Sequence, residues 1–249
     1  MRKHIIIYTF GALAACSTPS QQSEQETPTE MQQAETTLQE ILEQKKATFE
    51  EKADSTKKAV YAEGIASVVN AKITETALQV GDLAPDFRLK NAMGEEISLY
   101  EQLKSGPVIL MWYRGGWCPY CNLTLKAMQD MLPLYRSGGA QLLALTPEMP
   151  DKSLNTKEKN NLDFQVLTDK NNNVAKKYKV VYTLTDEVKE YYETGFGHSA
   201  YNGNKDGELP LAATYIIGTD GKITYAFLDA DYRNRAEPME VLNALTQTQ

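Results

Sequence analysis

The chain has 249 residues, 42% hydrophobic and 24% charged, with a net charge of −7. That suits one globular domain of about 150–200 residues plus extensions. No basic footprint marks it as a nucleic-acid binder.

Residues 1–20 read MRKHIIIYTFGALAACSTPS, with basic Arg2, Lys3 and His4 followed by an apolar run from Ile5 to Ala15. The run is too short for a stable spanning helix and has the layout of a signal peptide. Its end, Leu13-Ala14-Ala15-Cys16, resembles the bacterial lipobox. In lipoproteins the cut falls just before such a cysteine, which becomes the lipidated first residue. The expectation is a signal peptide over 1–15 and a lipid anchor at Cys16. The protein would then be held to a membrane of the cell envelope, on the periplasmic side or at the outer membrane. An ordinary secretory signal with an incidental cysteine is the other reading. Residues 16–34 are polar, with too little apolar content to fold, and read as a tether.

From about residue 35 to 78 the pattern turns helical. Leu38, Ile41, Leu42 and Phe49 share one side, and Val60, Ile65, Val68 and Val69 extend the apolar positions. Ser55 is placed to cap a second helix. The extension either packs on the domain or forms a homodimer contact.

The main domain is expected over 79–249. GDLAPDFRL gives Gly, Pro and Asp punctuation before a short strand at 87–89, and 97–99 is another. PVILMWYR is an apolar run without alternation, as in a central strand buried on both faces. A helix follows, with Leu123, Leu125, Met128, Met131 and Leu132 at helical spacing. QLLALT (141–146) is a second buried strand. KEKNNLDFQVLTD predicts a helix and then a strand at 164–167, and VAKKY opens a short helix. FGHSAYNGNKDGELP (196–210) reads as a polar loop bordering the pocket, with His198 either an ordinary loop residue or a contact for substrate or partner. ATYIIGTDGKITYAF is a hairpin around Asp220-Gly221, and 237–245 is a closing helix. Strands alternating with helices, then an antiparallel hairpin, give an α/β sheet with a mixed edge.

The segment WYRGGWCPYCN (112–122) carries Cys118 and Cys121 between a buried strand and a helix. Pro119 fits the first helical position, which makes Cys118 the N-cap. Its sulfur is then expected to face the free N–H groups of the first turn, where the helix dipole favours thiolate. Arg114, four residues upstream, adds positive charge. A partly exposed Cys118 and a sheltered Cys121 would make a nucleophile and a resolver. Zinc needs about four ligands, and the domain offers two cysteines and a distant His198. Covalent haem would need histidine at 122, where Asn122 stands. The C-x-x-C pair at a helix start therefore reads as a redox couple.

These residues resemble a known family. VGDLAPDFRL, WYRGGWCPYCNLTLKAMQ and ATYIIGTDGKITYAF are similar to segments of peroxiredoxin-like proteins of the alkyl hydroperoxide reductase and thiol-specific antioxidant (AhpC/TSA) class. The resemblance implies a thioredoxin-like α/β fold behind the helical extension. It implies a thiol peroxidase in which Cys118 attacks the hydroperoxide, Cys121 closes a disulfide, and a thioredoxin-like protein reduces it. No metal or organic cofactor is implied. Trp117, Gly115 and Thr214 are the candidate substrate-pocket residues.

Three positions depart from family patterns. Gly115 stands where peroxiredoxins usually carry Thr or Ser. No arginine lies between Leu209 and Tyr215; Arg114, Arg233 and Arg235 are the substitutes, with Arg114 favoured. Thioredoxins place a proline where Ala212 stands, which disfavours the alternative reading, an envelope thiol–disulfide oxidoreductase acting on protein disulfides.

Overall fold

The computed structural model describes residues 36–247. The expected signal peptide, Cys16 and the tether lie outside the described residues.

Helix α1 (Leu38–Lys52) starts at a capping box: Thr37 Oγ1 accepts from the Glu40 N–H, and Glu40 accepts from the Thr37 N–H at 2.9 Å. Helix α2 (Ser55–Asn70) is capped by Asp54, which accepts from the Lys57 N–H at 2.9 Å. Ser55 is thus the first helical residue and not the cap; the carboxylate one position earlier takes that role. A turn, α3 (Ile73–Thr76), leads into the domain.

The domain continues through β1 (Arg88–Lys90), β2 (Glu96–Ser98), α4 (Leu99–Leu103), β3 (Val108–Trp112) and α5 (Pro119–Asp130). Next come α6 (Leu132–Ser137), β4 (Gln141–Thr146), α7 (Pro150–Lys159), β5 (Gln165–Thr168) and α8 (Asn173–Lys177). The chain closes with β6 (Val181–Thr183), α9 (Asp186–Phe196), α10 (His198–Asn202), β7 (Glu208–Pro210), β8 (Thr214–Ile217), β9 (Ile223–Phe227) and α11 (Pro238–Gln247).

Among the described residues the main sheet has five strands in the order β5-β4-β3-β8-β9. Strands β3, β4 and β5 are parallel, whereas β8 and β9 join antiparallel. This is the mixed α/β sheet of a thioredoxin-like fold.

The all-apolar β3 run has a simple cause. Successive side chains point to opposite faces, and both faces are covered. Val108, Leu110 and Trp112 enter one core cluster, and Ile109 and Met111 enter the other. Leu38 and Leu42 of α1 join the second cluster with Cys118 and Cys121, while Val68 of α2 joins the first. The N-terminal helices therefore join the cores on both faces of the sheet, α1 on the face that holds the cysteines.

Several elements differ from the sequence expectation. The helix after the cysteines ends at Asp130, and Pro133 opens a separate turn. The region 196–210 is no simple polar loop: it holds α10 and β7, and β7 pairs with β6. No helix among the described residues is long and apolar enough to cross a membrane.

Candidate active site

The turn between β3 and α5 is set by two glycines. Gly115 has φ +153°, and a Cβ there would collide with the Trp117 indole. A Cβ on Gly116 would collide with the Thr156 hydroxyl. Threonine or serine at 115 would have to displace Trp117, which folds back over its own turn. The Gly115 carbonyl accepts from the Cys118 N–H at 3.0 Å, and the Gly116 N–H donates to Glu148 at 2.8 Å.

Cys118 is the N-cap of α5 and Pro119 its first residue. The expected pose of the sulfur needs correction. Its side chain makes no capping hydrogen bond. It is also not partly exposed: Cys118 is 1% and Cys121 0% accessible. The turn brings the two sulfurs close enough for each to act on the other's ionisation.

Two guanidiniums face the pair. Arg114 reaches Cys118 Sγ at 4.0 Å, donates to Tyr192 Oη at 2.6 Å and lies over the Tyr232 ring at 3.9 Å. Arg235 donates to Cys121 Sγ at 3.3 Å. Both arginines are buried and neither pairs with a carboxylate among the described residues. A buried cation needs a counter-charge, and the sulfurs are the groups placed to supply it.

The pair divides its charge unequally. Burial pushes the Cys118 thiol well above the ordinary range, and the proton it shares with Cys121 adds to this. Burial opposes charge on Cys121 too, but donation from Cys118 and the fields of Arg235 and Arg114 hold it well below that range. Both directions favour charge on Cys121 over charge on Cys118. The dry environment opposes the helix-end stabilisation expected for a Cys118 thiolate.

Behind the pair lies a buried polar wall. Glu148 is 0% accessible, and burial raises its carboxyl. His198 is also buried, packed against Trp117 at 5.5 Å between ring centres, with burial and Arg114 lowering its pKa to about 4. His198 is therefore a buried residue of α10 that packs behind Trp117, outside the lining of the cavity over Cys118.

A cavity of about 320 Å³ opens onto Cys118. Arg114 and Trp117 line it, and α1 and α2 contribute its outer side through Lys45, Phe49, Lys52, Lys57 and Tyr61. Cys121 and Gly115 do not line it. Thr214 is also outside the lining, because its side chain is buried within the sheet, in register with Met111 and Phe227. Sequence reasoning missed Tyr232 and Glu148, gave Tyr192 no role beyond helical patterning, and named Arg235 only as a substitute arginine behind Arg114. Among the described residues no group of three or more His, Cys, Asp or Glu side chains is placed to hold a metal ion.

Comparison with known proteins gives a consistent picture. A family model described as the AhpC/TSA family matches residues 80–226. Peroxiredoxin Bcp of Escherichia coli is 25% identical over 170 residues, which are 68% of this chain and 97% of that protein. The thiol-disulfide oxidoreductase ResA of Geobacillus kaustophilus is 31% identical over 107 residues, 43% of this chain and 60% of that protein. Among solved structures, peroxidoxin BcpB from Mycobacterium tuberculosis superposes with a TM-score of 0.55 at 20% identity, covering 69% of this chain and 99% of that one.

Proposed function

Because the chain belongs to the AhpC/TSA family, we propose that it is a thiol peroxidase in which Cys118 reacts with the hydroperoxide and Cys121 resolves it. The observation that carries the assignment of roles is access: Cys118 lines the cavity and Cys121 does not.

The reactive form carries the charge on Cys118, beside Arg114, and the proton on Cys121. Cys118 Sγ then attacks one peroxide oxygen. An S–O bond forms, the O–O bond breaks, and the leaving oxygen takes a proton to become an alcohol or water. Sulfur loses two electrons and the peroxide gains them. Cys121 next attacks the sulfenic sulfur, an S–S bond forms, and hydroxide leaves. Starting from the singly charged pair, one proton taken up from solvent turns that hydroxide into water. Both cysteines lie in the first turn of α5, so the disulfide can close without moving an element. A thioredoxin-like dithiol restores the pair by exchange.

The test is stopped-flow oxidation of the reduced chain by hydrogen peroxide and an organic hydroperoxide, followed by Trp117 fluorescence. Oxidation many orders of magnitude faster than that of a free thiol, and lost in Cys118→Ser, is expected. Oxidation at the free-thiol rate would refute the peroxidase reading and leave protein disulfides as the substrates to examine.

The signal-like leader and the Leu13-Ala14-Ala15-Cys16 pattern support a further part of the proposal: lipidation at Cys16 and attachment to an envelope membrane. Mass spectrometry of the membrane fraction should find a lipid on Cys16. A Cys16→Ser chain that still sediments with membranes would refute the anchor.

A further inference from the structure

Resting on that reading, we propose that the cavity over Cys118 selects organic hydroperoxides carrying an anionic group. The selection comes from α1 and α2, which precede the matched family segment. The lining has two parts. Its body is aromatic, from Phe49, Tyr61, Trp117, Tyr120 and Phe196. Hydrogen peroxide has no use for such a surface, whereas an organic hydroperoxide can bury its carbon skeleton there.

The outer part is cationic. Lys45, Lys52, Lys57 and Arg233 line the cavity, and no acidic residue does. This is a local inversion in a chain whose net charge is −7. Arg233 is already committed, because its guanidinium binds Asp231 at 2.8 and 2.9 Å. The three lysines enter no ion pair among the described residues. Lys57 lies 5.7 Å from the Tyr61 ring centre. Glu50 and Asp231 are near enough to act on the Tyr120 phenol, but neither lines the cavity. The arrangement is built by helix periodicity. Lys45, Phe49 and Lys52 are spaced at i, i+4 and i+7 on α1, and Lys57 and Tyr61 at i and i+4 on α2. Each helix turns one aromatic and its lysines to the same cavity, and Phe49 stacks on Tyr61 at 5.5 Å. A substrate with its O–O bond at Cys118 and its body on the rings would leave a terminal carboxylate or phosphate among the lysines.

The test uses single-turnover oxidation of the reduced full chain, with no reductant present, so that reductant docking cannot enter. The probes are cumene hydroperoxide and its para-carboxylate. The carboxylate should react about tenfold faster at low salt, as for a cleft that steers a charged ligand. The ratio should fall toward one at about 0.5 M salt. Lys45→Gln, Lys52→Gln and Lys57→Gln together should abolish the ratio, and the matching triple arginine variant should restore it. A ratio of one in the natural chain would overturn the proposal, as would a ratio insensitive to both salt and the glutamine changes. Hydrogen peroxide run alongside separates the failures. If no peroxide outpaces a free thiol, the peroxidase reading falls and takes this one with it. If hydrogen peroxide reacts fast and the ratio is one, only the selection falls. A long-chain carboxylate hydroperoxide in solution and a phosphatidylglycerol hydroperoxide in vesicles distinguish the two sources of such an anion. Faster reaction than the methyl ester or phosphatidylcholine counterpart identifies the source, and equality in both pairs overturns the proposal.

Discussion

The floor and the rim of the cavity hold the same sign of charge in opposite surroundings. Arg114 at the floor and Arg235 beneath it are 1% and 5% accessible and meet sulfur, phenol and ring faces. At the rim, Lys45 and Lys52 are exposed on a helix. Buried charge acts strongly over a few ångströms, whereas exposed charge is screened by water and salt. The floor should therefore govern whether the chemistry occurs, and the rim which substrate arrives. Substitutions at the two levels should differ in size and in salt dependence.

The largest effects belong to the floor. Cys118→Ser should slow peroxide oxidation by roughly 10³-fold or more, since no other sulfur lines the cavity. Arg114→Met should slow it by about 10²-fold, the cost of losing one fixed donor at a developing charge. Arg114→Lys should recover little, because an ammonium cannot reach both Cys118 and the Tyr192 hydroxyl in one planar fork. An Arg114→Met enzyme within a few-fold of the natural rate would break the distinction between floor and rim.

Next is the division of charge within the pair. Thiolate absorbance of the reduced chain should show about one thiolate near neutral pH, below the ordinary thiol range. Cys121→Ser should remove that signal, and Arg235→Met should move its midpoint up. The linkage has a definite sign. The depressed Cys121 pKa contributes stability that is complete above about pH 8.5 and is lost as pH falls through the folded-state value. The raised Cys118 pKa acts oppositely and destabilises the fold above about pH 8.5. A neutral-pH thiolate that survives Cys121→Ser would return the resting charge to Cys118.

Much of the floor's frame is legible in the chain, and most of its contacts are not. Strand β4 and the start of α5 at Pro119 are local signals: an unbroken apolar run, and a proline one residue inside a helix. Arg235 touches Cys121 across 114 residues, and Tyr192 touches Arg114 across 78. No period or spacing encodes such pairs. Gly115 looked like the loss of a hydroxyl; its cause is the fold-back of Trp117, which only tertiary geometry reveals. The polar composition of 196–210 concealed His198 and Asn202, which are buried and bonded to each other at 3.3 Å. On the rim, the periodicity that placed Phe49 among apolar positions was correct about the helix. It was silent on the lysines that share Phe49's side.

His198 extends the comparison to stability. Its pKa is held at about 4 against an ordinary 6.5. The unfolded chain gains a proton there before the folded chain does. Stability from this group is complete above pH 6.5 and is lost as pH falls toward 4, by up to about 3 kcal/mol. Denaturant titrations across that range should show the loss in the natural chain and a flatter profile in His198→Gln. Identical profiles would mean that folding leaves the His198 pKa unshifted.

The smallest effect lies at the rim, and it separates position from charge. Asp54 caps α2 through the Lys57 N–H. Asp54→Ala removes the cap and should cost about 1 kcal/mol. It should also fray the turn that holds Lys57 against Tyr61. The same change deletes a negative charge near the lysines, which by itself would favour an anionic substrate. The two consequences oppose each other, so alanine alone cannot be interpreted. Asparagine keeps the capping oxygen and drops the charge. Asp54→Asn should keep the natural stability and raise the carboxylate-to-neutral rate ratio slightly, by less than about twofold at low salt. Asp54→Ala should lower stability and reduce that ratio, with the Cys121 thiolate signal unchanged in both. If the alanine variant shifts the thiolate signal, α2 is coupled to the floor, and the two levels of the cavity act as one unit.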